Sequence, residues 1–148
     1  MPVQTETPQE TEQKVAMVHA MMLVCFADKA MASQQIALVE SYAKALPEFF
    51  GRDFQRYYRA AKELASGAGG SLDQAVREVE RISCPELRLK TYCCCLELAH
   101  AGGPPGREEA GLLLDLETRL GIPAETVRTM REVVELKFSA RAQEPALV

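Results

Sequence analysis

Three consecutive cysteines, Cys93, Cys94 and Cys95, are the side chains best suited to soft-ligand or redox chemistry in this sequence, and their spacing works against it. Neighbours on an α-helix lie about 100° apart, so the three thiols fan over much of the circumference and cannot all turn to one ion. Zinc sites pair cysteines with two to four residues between them and add His or Cys partners at a distance, and the chain offers no such pair. Buried Cys is a common small core residue, which is the role expected here; Cys93, on the least apolar side, is the thiol expected to be exposed. With only two histidines, a His-rich site is not available. His19 falls in the middle of an apolar run and is expected to be a hydrogen-bonded core residue. There is no Gly-rich phosphate loop, no nucleophile elbow and no His-Glu zinc motif. The glycines at 67 to 70 and 102 to 106 read as connectors, and the adjacent Glu108 and Glu109 stand at a helix start, where negative charge favours the macrodipole. No constellation supports an enzyme, and none calls for a cofactor.

Phe49, Phe50, Phe54, Tyr57 and Tyr58 make up five of the nine aromatic residues. Such concentration either closes a core over neighbouring helices or marks a partner-binding groove, in which case Phe50, Phe54 and Tyr58 carry the contact. Core closure is the simpler expectation. Arg52, Arg56, Arg59 and Lys62 interleave with these aromatics on other faces and read as a solvated row.

The 148 residues, 47% hydrophobic and 26% charged, match one compact domain of ordinary globular composition. Seventeen Lys and Arg against 21 Asp and Glu give a net charge of -4, the wrong sign for affinity built on neutralising phosphates, so no nucleic-acid role is expected. The longest apolar run, Ala16 to Ala27, carries His19 and is too short for the roughly 20 apolar residues of a membrane span. An acidic, Gln-rich segment precedes it, so it does not read as a signal peptide. Five cysteines, three of them adjacent, form no disulfide framework. Together these point to a cytoplasmic protein without membrane insertion.

The elements that position these residues read as helices throughout. Residues 1 to 7 are polar and expected to be loose through Glu6, and 143 to 148 form a loose tail. Thr7-Pro8-Gln9-Glu10 combines an N-cap hydroxyl with Pro at the first helical position and opens a helix to about Lys29, whose second half is apolar all round and therefore central. Ser33 leads a helix to about Leu46 with Ile36, Val39, Tyr42, Ala43 and Leu46 buried, and a third opens near Asp53 with Phe54, Tyr57, Tyr58, Ala61 and Leu64 on its stripe. Ser71 caps a short fourth helix with Leu72, Ala75, Val76, Val79 and Ile82 inward. Pro85 begins a fifth, to about Ala101. A sixth runs from about Arg107 to Leu120 with Leu112, Leu113, Leu116 and Leu120 on one side, and Gly121 supplies the left-handed C-terminal position. A seventh follows Pro123 with Val127, Met130, Val134 and Phe138 inward. The expectation is an all-α domain, a single compact bundle of about seven helices over residues 8 to 142.

Shifted by 74 residues, the chain places Ala27 on Ala101, Leu38 on Leu112 and Leu46 on Leu120, with Val24 on Leu98, Val39 on Leu113 and Tyr42 on Leu116. What repeats is a unit of an apolar helix, a break after Ala, and an amphipathic helix ending in Leu and a breaker. Leu23-Val24-Cys25-Phe26-Ala27-Asp28 with the helix after Ser33, and Leu96-Glu97-Leu98-Ala99-His100-Ala101-Gly102-Gly103 with Arg107-Glu108-Glu109, resemble the two halves of the TerB-like family, the helical domain associated with tellurite resistance. The resemblance implies two pseudo-repeated hairpin halves, a non-catalytic module acting on another protein, a bacterial setting and a stress or metal-oxyanion response. It also implies Asp28 and Glu109 as metal ligands. The chain departs from the family pattern: Lys29 replaces a Gly, Gln35 stands where a Glu is expected, and Gly102 replaces an Asp. Each half then keeps one carboxylate, whereas hard cations take six or more oxygens with several carboxylates among them. A metal or oxyanion sensor using Asp28, Glu109 and Cys93 is the alternative function, and a homodimer through an exposed apolar stripe stays open.

Overall fold

The computed structural model describes residues 5–27 and 33–140. It is all-helical, and among the described residues there is no strand. The order is α1 (Pro8–Phe26), α2 (Ser33–Lys44), a 3-10 turn (Pro47–Phe49), α3 (Phe54–Gly67), α4 (Leu72–Arg77), a second 3-10 turn (Glu78–Arg81), α5 (Pro85–His100), α6 (Arg107–Leu120) and α7 (Ala124–Lys137). Asp28 and Lys29, the first four residues and the segment from 141 onward lie outside the described residues.

α1 starts where its local chemistry dictates, with the Thr7 hydroxyl accepting from the Glu10 amide at 3.1 Å and Pro8 at the first helical position. Every residue from Gln13 to Cys25 is buried. A helix apolar on all sides needs neighbours on all sides, and α1 has them: α2 to α6 and the Glu78–Arg81 turn pack around it, and α5 in turn carries α6 and α7. The polar residues of α1 are used rather than merely tolerated. Gln13 Oε1 accepts from the Ser83 and Cys84 amides, each at 3.0 Å, which supplies the side-chain cap that α5 lacks locally. His19 Nε2 donates to the Ala75 carbonyl at 2.7 Å, fastening α4 to the central helix.

α6 buries Leu112, Leu113, Leu116 and Leu120, and Gly121 ends it at φ 63. Arg88 donates to the Leu120 carbonyl at 3.1 Å, satisfying a terminal acceptor that the helix itself cannot. The Tyr92 hydroxyl and Arg131 both donate to Glu117, so one carboxylate ties α5, α6 and α7 together.

Three expectations need correction. Phe138 does not face inward: as the residue that ends α7 it lies beyond the turn carrying buried Val134 and stays 36% exposed. Glu6 is not a loose leader residue: its carboxylate is buried and accepts from Lys14, from the Thr11 hydroxyl at 2.6 Å and from the Tyr57 hydroxyl at 2.9 Å. A single acidic residue outside a helical pattern gives no periodic signal, so only the tertiary fold reveals it. Leu72 does not face inward. As the first residue of α4 it precedes the helix turn that meets the core, and it stays 58% exposed while Ala75, Val76, Val79 and Ile82 are buried.

Candidate functional site

Three surface concavities contain the residues with functional potential. The largest is a groove of about 940 Å³ between the end of α1, the start of α4 and the first half of α6. Leu23 and Leu112 floor it, while Phe26, Leu72 and Leu114 stand at its wall, 41%, 58% and 57% exposed. Each is exposed for a local reason. Phe26 is the last residue of α1, beyond the enclosing helices; Leu72 opens α4; and Leu114 lies off the stripe that buries Leu112, Leu113 and Leu116. Large apolar side chains from three separate elements thus share one groove, whose rim carries Arg107, Glu108 and Asp115.

The second concavity, about 480 Å³, lies where α1 and α5 end and α2 and α6 begin. Val24, Cys25 and Gln35 line it together with Leu98, Ala99 and Glu109. These are three pairs separated by the same 74 residues. Glu109 is within electrostatic reach of Cys25: burial and that negative charge push the Cys25 thiol up to about 11. Glu109 also has a structural task, accepting from the Gly106 amide at 3.4 Å at the start of α6. Gln35 Oε1 is buried without a hydrogen-bond partner. Asp28, the other expected acidic position, lies outside the described residues. Among the described residues no three His, Cys, Asp or Glu side chains gather around one point.

The third, also about 480 Å³, is lined by Tyr42, Leu46, Lys90, Cys93, Cys94, Glu97 and Lys137. Cys93 is half-buried here, as is Cys84 elsewhere, while Cys94 and Cys95 are buried. Burial and the neighbouring Glu97 raise the Cys93 thiol above its ordinary range, Cys94 is pushed up to about 12 chiefly by burial, and Cys95 is well above its ordinary value for the same reason. A protonated thiol is a poor nucleophile and metal ligand. The three cysteines thus serve the packing of α5, and its cationic neighbour Lys137 is held by Glu97 at 3.0 Å. With Ellman's reagent near neutral pH, only Cys84 and Cys93 should react with the folded chain, and all five thiols should react once it is unfolded. Rapid labelling of four or five thiols in the native state would contradict this packing.

The aromatic cluster divides. Phe54 and Tyr57 are buried, Phe54 stacks on the half-buried Tyr58 at 6.0 Å, and Phe49 meets Tyr57 edge-on at 5.4 Å. Phe54 therefore closes the core and is unavailable to a partner, which corrects its place among the contact candidates. Phe50 alone of this cluster projects outward, 63% exposed. No helix among the described residues is long and apolar enough to cross a membrane. Comparisons with protein-family models, curated proteins and solved structures return no significant match.

Proposed function

We propose that this chain is a non-catalytic helical interaction module, resembling the TerB-like domains, that holds an amphipathic helix of a partner protein in the groove between α1, α4 and α6. The observation that carries this reading is the convergence of exposed Phe26, Leu72 and Leu114 on one concave surface. Scattered exposed apolar residues need no explanation, but a contiguous apolar concavity with a polar rim fits a helix-in-groove contact anchored at i, i+3 or i+4, and i+7. Glu108 and Asp115 on the rim favour a helix with Lys or Arg beside its apolar stripe. A place in tellurite, metal-oxyanion or other stress responses of a bacterial cytoplasm follows from the family resemblance alone.

The test is a displayed-peptide selection on the purified chain. It should return sequences with helically spaced apolar residues and basic flanks, whose binding falls at least about tenfold with Leu114→Glu, an exposed substitution that leaves the melting midpoint nearly unchanged. A selection without such a consensus, or one insensitive to Leu114→Glu, overturns the proposal.

A second reading, divalent-cation sensing, is favoured by the cleft of Gln35 and Glu109, whose oxygens would repel an oxyanion. The buried, unpartnered Gln35 oxygen and the Glu109 carboxylate are oxygen donors of the type hard cations take. They supply fewer oxygens than such an ion needs, so this reading depends on Asp28 and ranks second. Binding to the folded state would raise the melting midpoint in calcium, magnesium or zinc.

A further inference from the structure

The outer face of α3 carries Arg56, Arg59 and Lys62 behind Arg52, positions that fall on adjoining turns and span about 9 Å from Arg56 to Lys62 at the helical rise. Arg56 is largely in solvent, with its guanidinium 5.8 Å from the Tyr57 ring centre, and the Lys62 ammonium lies 5.3 Å from that of Tyr58. Phe50, 63% exposed, precedes this row in the chain, followed by a turn at Gly51 with φ 71. Asp53 lies within the row, where it caps α3 by accepting from the Gln55 amide, and Glu63 follows Lys62 at its far end.

A carboxylate lies at the inner end of this row. The Glu6 carboxylate, reaching from the segment ahead of α1, is held by Lys14, Thr11 and the Tyr57 hydroxyl, and Arg52 Nε and Arg56 Nη1 flank it at 4.0 Å from its oxygens. A carboxylate is thus seated where the basic row meets the aromatic floor, while Arg59 and Lys62 continue the row beyond it.

We propose that the outer face of α3 is a docking surface for an acidic peptide segment of a partner protein, whose carboxylates pair with Arg56, Arg59 and Lys62 and whose apolar side chain packs on Phe50. Carboxylates rather than phosphates are favoured by the charge of the chain. The chain carries a net charge of -4 with this row included, so the rest of the surface is more acidic still and repels a duplex or an anionic bilayer, whereas a peptide can follow the row alone. This surface is separate from the groove between α1, α4 and α6, and either can fail without the other.

A short fluorescein-labelled peptide of Glu, Leu and Gly tests this by anisotropy, with the same peptide carrying Gln for Glu, an oligodeoxythymidine and phosphatidylserine vesicles as comparators. Saturable binding is expected for the Glu peptide only, weakened about tenfold between low and physiological salt. The doubly substituted Arg56→Glu, Arg59→Glu chain should bind about tenfold more weakly at an unchanged circular-dichroism spectrum, and Phe50→Ala should weaken binding by several-fold. No saturable binding, equal binding of the Gln peptide, or indifference to the double substitution overturns the proposal. Tighter binding of the oligonucleotide or of the vesicles than of the peptide overturns it as well and assigns the row to phosphates.

Discussion

Glu6→Ala should destabilise the fold by about 3 kcal/mol, because removing one partner of a buried ion pair leaves the other charged and uncompensated. Lys14, whose side chain is 9% exposed, is that partner, and the Thr11 and Tyr57 hydroxyls lose their acceptor at the same time. The same carboxylate sets a pH dependence. Burial alone would raise its pKa, but hydrogen bonds from Lys14, Thr11 and Tyr57, together with the Lys14 charge, outweigh burial and lower it to about 2 from an ordinary 4.5. A depressed carboxylate stabilises the fold fully above its unfolded pKa, and the contribution fades as pH falls from about 4.5 toward about 2. Urea denaturation at neutral pH and through that acid range checks both statements. The variant should show the lower stability at neutral pH and a flatter acid limb than the native chain; a loss under about 0.5 kcal/mol, the range of ordinary surface changes, would mean that Glu6 is not held as described.

His19→Ala should cost about 4 kcal/mol, by two additive routes. Truncating a fully buried ring leaves a cavity in the middle of α1, worth about 2 to 3 kcal/mol in a close-packed interior. It also strips the Ala75 carbonyl of its donor, and a buried acceptor without a partner costs about 1 to 3 kcal/mol. His19→Leu separates the routes: it restores most of the volume but not the donor, and should cost about 2 kcal/mol. A loss for His19→Leu near zero in denaturant melts would show that the hydrogen bond between α1 and α4 contributes nothing, whereas equal losses for both substitutions would remove the cavity contribution.

Much of the helical frame is legible because its causes are local. The run from Val15 to Cys25 has no polar face and therefore becomes the enclosed helix; the stripe Leu112, Leu113, Leu116 and Leu120 and the left-handed Gly121 follow from period and capping chemistry; His19 is buried with a hydrogen bond, as its apolar surroundings require. The candidate surfaces are less legible because they arise from juxtaposition. Leu72 has the type and spacing of an inward residue, and only the packing of α4 against α1 and α6 turns it out into the groove. Leu114 gave the one available hint, since three successive leucines at 112 to 114 exceed what a single helical face can bury. The aromatic cluster could be read as core or as surface; burial assigns Phe54 and Tyr57 to the core and Phe50 to the surface. Glu6 left no trace in sequence, since its partners Lys14 and Tyr57 lie 8 and 51 residues away.

The role of the groove between α1, α4 and α6 is tested most directly by amide chemical-shift mapping on the ¹⁵N-labelled chain, titrated with the consensus peptide from the selection. Shifts should concentrate at Phe26, Leu72, Gly111, Leu114 and Asp115, with Gln35, Gly103 and Gly106 unmoved. Shifts centred instead on Gln35, Gly103 and Gly106, with the groove silent, would contradict helix docking and move the functional site to the cleft that holds Glu109.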